Sequence, residues 1–160
     1  AVCLSHSIVI LSLKSTDDVK RVKTLDVNIG YQWCYSVAKL NSYKLLVSGV
    51  NHDAIFCWGV VSITDGCLDS THNICKGDLG STTHVTIKDN TVYISCRTLE
   101  YITTGVYAYD ILNPHTHKFL YQHKELKIPW SIMADRNSVF VCDYNSNRIH
   151  QLTDSGQLVT

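Results

Sequence analysis

Short apolar runs and polar turns alternate along this chain, and the last thirty-two residues show the pattern in its sharpest form. Ser131–Ala134 is a short apolar run, and Asp135–Asn137 is a polar turn. Ser138–Cys142 is rich in Val and Phe and extended by propensity. Asp143–Asn147 is a loop of Asp, Asn and Ser, residues that bond their own backbone and tolerate turn geometry. Arg148–Leu152 sets Ile149 and Leu152 among polar neighbours. Asp154-Ser155-Gly156 forms a turn in which Gly is free to take positive φ. Gln157–Thr160 begins a further strand. Four short strands joined by three turns is a β pattern, not a helical one.

The same programme recurs upstream. Ser36 in CYSVAKL, His84 in THVTIKD and Ser131 in WSIMADR hold matching positions, 48 and 47 residues apart. After Ser36 come the run Val37–Leu40, the turn Asn41-Ser42, a strand at Tyr43–Ser48 and a loop at Gly49–Asp53. After His84 come Val85–Lys88, the turn Asp89-Asn90, a strand at Thr91–Cys96 and a longer loop at Arg97–Thr104. Third strands are predicted at Ala54–Trp58, Gly105–Asp110 and Arg148–Leu152. The first two are apolar almost throughout, which suits strands buried on both faces. Near the N-terminus, Ser7–Leu13 matches a third strand and Lys20–Val27 a fourth, as His117–Gln122 does later, with Lys14–Asp18 as the hairpin turn. A period of this length, filled by short antiparallel strands, is that of a propeller blade. The predicted fold is all-β, a partial β-propeller of about three and a half four-stranded antiparallel blades. Residues 1–29 end one blade, 30–77 and 78–126 are two complete blades, and 127–160 is a third.

Composition narrows the function classes. Lys plus Arg and Asp plus Glu both number 14, so net charge gives no global case for nucleic acid or an acidic membrane surface. No apolar run approaches the ~18 residues of a membrane-spanning helix. The seven cysteines form no C-x-x-C pair, and Cys57, Cys96 and Cys142 sit inside apolar runs. They read as reduced core thiols, with Cys67–Cys75 the pair expected if a disulfide forms, and so as a protein of a reducing, cytoplasmic compartment. There is no G-x-S-x-G, H-E-x-x-H, G-x-G-x-x-G or phosphate loop, so no catalytic residue and no cofactor is assigned.

Residues Pro129, Ile132, Ala134, Val139-Phe140-Val141, Asp143, Asn147-Arg148-Ile149 and Asp154-Ser155-Gly156 together resemble the NHL repeat. The resemblance implies a ring of about six blades, of which this chain is a fragment completed by the remaining blades of the parent. It implies structural roles for Asp143, Asn147, Arg148 and Gly156. Asp143 can accept loop N–H bonds, and Arg148 can pair with a carboxylate. It also implies recognition rather than catalysis. NHL rings form the C-terminal arm of tripartite-motif ubiquitin ligases, where they bind protein substrates, and some bind RNA. A protein partner ranks first and RNA second. NHL-like rings occur too in peptide-amidating lyases and metal-dependent hydrolases. Those draw channel metal ligands from several blades, where this chain offers His84 alone. His115-Thr116-His117 reads as a solvated turn. An adhesive propeller of the low-density-lipoprotein-receptor type would carry Tyr-Trp-Thr-Asp repeats, which are absent.

Propellers concentrate function on one face, built from interblade crossings and the loops between second and third strands. Here those are Gly30–Trp33, Gly49–Asp53, Asp78–Thr83, Arg97–Thr104, Lys127–Trp130 and Asp143–Asn147. They carry Tyr31, Trp33, His52, Arg97, Tyr101, Lys127, Trp130, Tyr144 and Asn145 as candidate binding residues. Aromatics with Arg are the composition of protein hot spots and of single-stranded RNA platforms. Arg97–Thr104 is the loop expected to contribute most.

Overall fold

The computed structural model describes residues 2–159, apart from 5–6, 14–18, 27–30, 54, 66, 77–81, 98–103, 115–116 and 122–125. The expected turn at 14–18 and most of the loop at 97–104 lie outside the described residues, as do His115 and Thr116. Among the described residues every element is a strand, and all pairing between named strands is antiparallel. The chain divides into two compact units, Ala1–Ile74 and Cys75–Thr160.

The first unit holds two sheets. β1 (Val2–Leu4), β2 (Ser7–Leu13) and β3 (Val19–Asp26) pair in that order, as do β4 (Tyr31–Lys39), β5 (Lys44–Asn51), β6 (Ile55–Ser62) and β7 (Leu68–Lys76). Short polar side chains make the turns. Asn41 Oδ1 accepts the amide of Tyr43 at 2.8 Å, and Asn51 Oδ1 accepts those of Asp53 and Ile55 at 3.0 and 2.9 Å. Asp65 Oδ1 does the same for Cys67 at 2.9 Å. Each such bond mimics a backbone turn and fixes where the strand ends. Residues 45–50 and 56–61 are buried without interruption, so both faces of β5 and β6 are covered. Ile8, Leu45, Val47, Cys57 and Val61 form this unit's core.

The second unit holds β8 (Thr82–Lys88), β9 (Thr91–Arg97), β10 (Gly105–Asp110) and β11 (His117–Tyr121), in one sheet of order β11-β10-β9-β8. A second sheet runs β12 (Pro129–Asp135), β13 (Ser138–Asp143), β14 (Arg148–Leu152). A single bridge from Leu158 to Leu152 adds the beginning of a fourth strand. The two sheets meet across Tyr93, Val106, Leu120, Ile132, Val139, Val141 and Leu152. Burying each of the larger aliphatic side chains contributes roughly 1.5–3 kcal/mol. Two further contacts join the sheets. Lys88 Nζ pairs with Asp154 Oδ2 at 2.6 Å. Gly156, at φ +85°, lies so close to β11 that a Cβ there would stand 2.0 Å from the Leu120 carbonyl oxygen. Asp89 and Asn147, both with φ of 53°, turn β8 into β9 and β13 into β14. Asp and Asn tolerate that left-handed conformation better than most residues.

The strands depart from expectation in two places. Gly49, Val50 and Asn51, expected in a loop, continue β5; Gly49 and Val50 pair with Cys57 and Phe56. The crossings expected at 30–33 and 127–130 are partly strand, since β4 begins at Tyr31 and β12 at Pro129. Bulges at Tyr31/Trp33, Cys34/Ser36 and Pro129/Ser131 break the two-residue alternation there and hide the strand. Ile149 and Leu152 do not share a face. Three positions apart on a strand, they point to opposite sides: Leu152 is buried, and Ile149 is 65% exposed. His150, in step with Leu152, is the buried neighbour instead.

The cysteines also differ. Cys57 and Cys96 are buried free thiols, but Cys142 is exposed because it shares the outward register of Ile149. Cys67 is a free exposed thiol, not half of a Cys67–Cys75 bridge. Cys34 is disulfide-bonded, to a partner outside the described side chains. The described cysteines are therefore not a uniformly reduced set.

Candidate recognition site

One buried carboxylate organises the end of the second unit where β12 starts and β13 finishes. Asp143, the last residue of β13, is 2% exposed. It accepts the backbone amides of Ile128 at 2.9 Å, Lys127 at 3.1 Å and Asn145 at 3.2 Å. Burial alone would raise its pKa. The amide donors from Ile128, Lys127 and Asn145 outweigh burial and hold it below the ordinary carboxylate value. Three amides thus satisfy the acceptor and cross-link two loops. Tyr144 N–H, bonded to the Ile128 carbonyl at 2.9 Å, closes the same junction.

On this frame stand exposed aromatic rings. Trp130 occupies the bulge between Pro129 and Ser131, and bulges re-aim side chains. It is 47% exposed, and Tyr144 is 71% exposed. Their ring centroids are 5.9 Å apart with planes at 42°. His84, on β8, adds a third ring 6.1 Å from Trp130 at 38°. The separations lie in the range of favourable tilted aromatic pairs. Burial pushes the His84 pKa down, so its ring is neutral at pH 7 and presents an uncharged edge. Lys127 and Asn145 are exposed beside the rings, each held by its own amide on Asp143.

Of the nine candidate binding residues, the structure brings Lys127, Trp130, Tyr144 and Asn145 together. Arg97 ends β9 opposite Thr82, two register positions from the His84–Ser95 pair, and is half-buried. His52 is exposed in the β5–β6 turn of the other unit. Tyr31 and Trp33 lie on β4 of that unit, with side chains outside the described set, and Tyr101 lies outside the described residues. Among the structural residues, Asp143 performs the loop-binding role expected of it. Asn147 and Gly156 hold the positive-φ turns. Arg148 is exposed, directly opposite Asp143 in register.

Sequence reasoning missed two participants. His84 is a partner of Trp130, a contact across two sheets that no local pattern shows. His150 is 4% exposed, with Nε2 3.8 Å from Asp143 Oδ2, too far for a hydrogen bond, and its ring 6.3 Å from that of Tyr121. Its parity with Leu152 was the available signal. At the far end of the same strands a cavity of about 400 Å³ is lined by Ile87, Lys88, Asp89, Ala134, Asp135 and Arg136. Two cations offset two acids there; the aromatic rings lie at the opposite strand ends. Among the described residues no three His, Cys, Asp or Glu are grouped to hold a metal ion.

No protein-family model matches the chain, and no curated protein matches it. A solved structure does: a chain of the "Crystal structure of Nidogen/Laminin Complex" superposes with a TM-score of 0.72, covering 99% of this chain and 59% of that one, at 15% identity. At that identity the likeness is one of fold. The chain has the fold of a partial β-propeller, and it spans less than two thirds of the chain it matches.

Proposed function

We propose that this chain is the recognition part of a propeller and binds a protein partner through Trp130 and Tyr144, without catalysis of its own. The observation that carries the reading is the exposed Trp130–Tyr144 pair, seated on loops that buried Asp143 holds in place. Large rigid aromatics are the side chains from which interfaces draw most of their binding energy. Their preorganisation lowers the ordering cost of association. The matched solved structure is itself titled as a complex of two proteins, which agrees with this reading. The NHL resemblance of residues 129–156 supports the finer proposal of a substrate-binding arm of a tripartite-motif ubiquitin ligase. RNA stands second, because exposed aromatic rings with Lys127 in the same loop cluster would also seat single-stranded bases.

The test compares the wild-type chain with the double variant Trp130→Ala/Tyr144→Ala. Both are immobilised for quantitative affinity enrichment, and both are titrated with a random single-stranded RNA. Each ring removed is expected to cost about 2 kcal/mol of partner binding, roughly thirtyfold in affinity. Proteins recovered equally by both chains would overturn the reading. RNA affinity that the double variant loses would move the proposal to RNA.

A further inference from the structure

Of the seven cysteines, Cys57, Cys67, Cys96 and Cys142 are free thiols and Cys34 is disulfide-bonded. Cys3 and Cys75 are left to pair with it. Cys75 lies on β7, at the far edge of the sheet β4-β5-β6-β7 from β4. Three interstrand spacings of about 4.8 Å separate those two strands, roughly twice the Cα–Cα reach of a disulfide, about 7 Å. Cys3 lies on β1, and β1 lies against β4. Register points the same way. Cys3 pairs with Ile8 across β1 and β2, and directly opposed residues share a face of the sheet. Ile8 belongs to the core against which Cys34 packs.

We propose that Cys3 and Cys34 form a disulfide that staples the sheet β1–β3 to the sheet β4–β7 and makes the first unit sensitive to reductants. β1 and β4 are edge strands of separate sheets, and among the described residues no ladder joins them. The bond therefore crosses between sheets, where only side-chain packing would otherwise hold. Closing it takes two protons and two electrons from the two thiols. A small-molecule disulfide accepts them and is released as two thiols. The closed bond restricts the unfolded chain and so favours the folded one. The two sheets of the second unit are joined in another way. Lys88 pairs with Asp154 there, and Cys96 and Cys142 are free thiols. A reductant thus acts on the first unit and spares those contacts.

The test is peptide mapping of the whole chain, folded in reduced and oxidised glutathione, then alkylated and digested with trypsin without reduction. The expected product links Ala1–Lys14 to Thr24–Lys39, lighter by a pair of hydrogens than the separate thiol peptides, while Cys75 carries the alkyl group. Cys34 recovered alkylated, or linked to Cys75, overturns the proposal. Thermal melts give a second readout. A thiol reductant should lower the wild-type midpoint by about 5 °C or more. Cys3→Ser should melt at the reduced value with or without reductant, and Cys75→Ser should respond as the wild-type chain does. A reductant-sensitive melt that survives Cys3→Ser overturns the proposal, and so does a wild-type melt indifferent to reductant.

Discussion

β9 and β13 are built from nearly the same letters and live in different surroundings. One reads TVYISCR and the other SVFVCD. Along β9 five consecutive residues, Val92 to Cys96, are buried; along β13 burial alternates, with Val139 and Val141 inside and Cys142 out. Composition does not separate them, because a side chain on the second face of a sheet is buried only if something lies against that face. The lesson is that an unbroken apolar run states a capacity for two-sided burial, and the neighbouring element decides whether the capacity is used.

Four substitutions sharpen or break this comparison. The largest effect is expected at the junction of the two sheets, in Gly156→Ala. Positive φ and a Cβ forced against the Leu120 carbonyl leave no relaxed position. The loss should be about 3 kcal/mol or more, read by denaturant unfolding. Next, Ile94→Ala in β9 should cost about 2–5 kcal/mol, because Ile94 is fully buried. Ile149→Ala, the same chemistry on the bare face of β14, should stay within about 0.5 kcal/mol in dilute protein. Equal costs would mean that the two faces are not different. Between these two lies Asp143→Asn, expected to cost about 2 kcal/mol at neutral pH. Its sign with pH follows from a folded pKa that lies below the unfolded value of about 3.9. The carboxylate's contribution is complete above the unfolded value and is lost as pH falls through the folded one. The Asn variant should lack that part of the acid limb, so the two stability curves should converge at low pH.

Much of the fold was legible. The strands at Ser7–Leu13, Gly105–Asp110 and Arg148–Leu152 fall where the apolar runs put them. The turns at Asp89-Asn90 and Asp154-Ser155-Gly156 follow from Asp, Asn and Gly chemistry. β7, reading LDSTHNICK, has too few apolar positions to announce itself, and β4 is disguised by its bulges. Of the site, Asp143 could be read because its bonds are to nearby loops. The Trp130–Tyr144 pair could be listed but not seen as a contact, since the two residues come from different loops. His84 joins them only because β8 lies beside β12, which is a fact of tertiary packing.

The carboxylate of Asp143 leaves a dynamic signature. The amides of Lys127, Ile128 and Asn145 belong to surface loops outside the strand ladders, where hydrogen exchange with solvent is ordinarily fast. Bound to a buried acceptor, they can exchange only when the loops part from β13. A small island of slow exchange therefore sits amid fast loop amides, directly beneath Trp130 and Tyr144. The three amides are expected to exchange more slowly than their loop neighbours, read by hydrogen exchange.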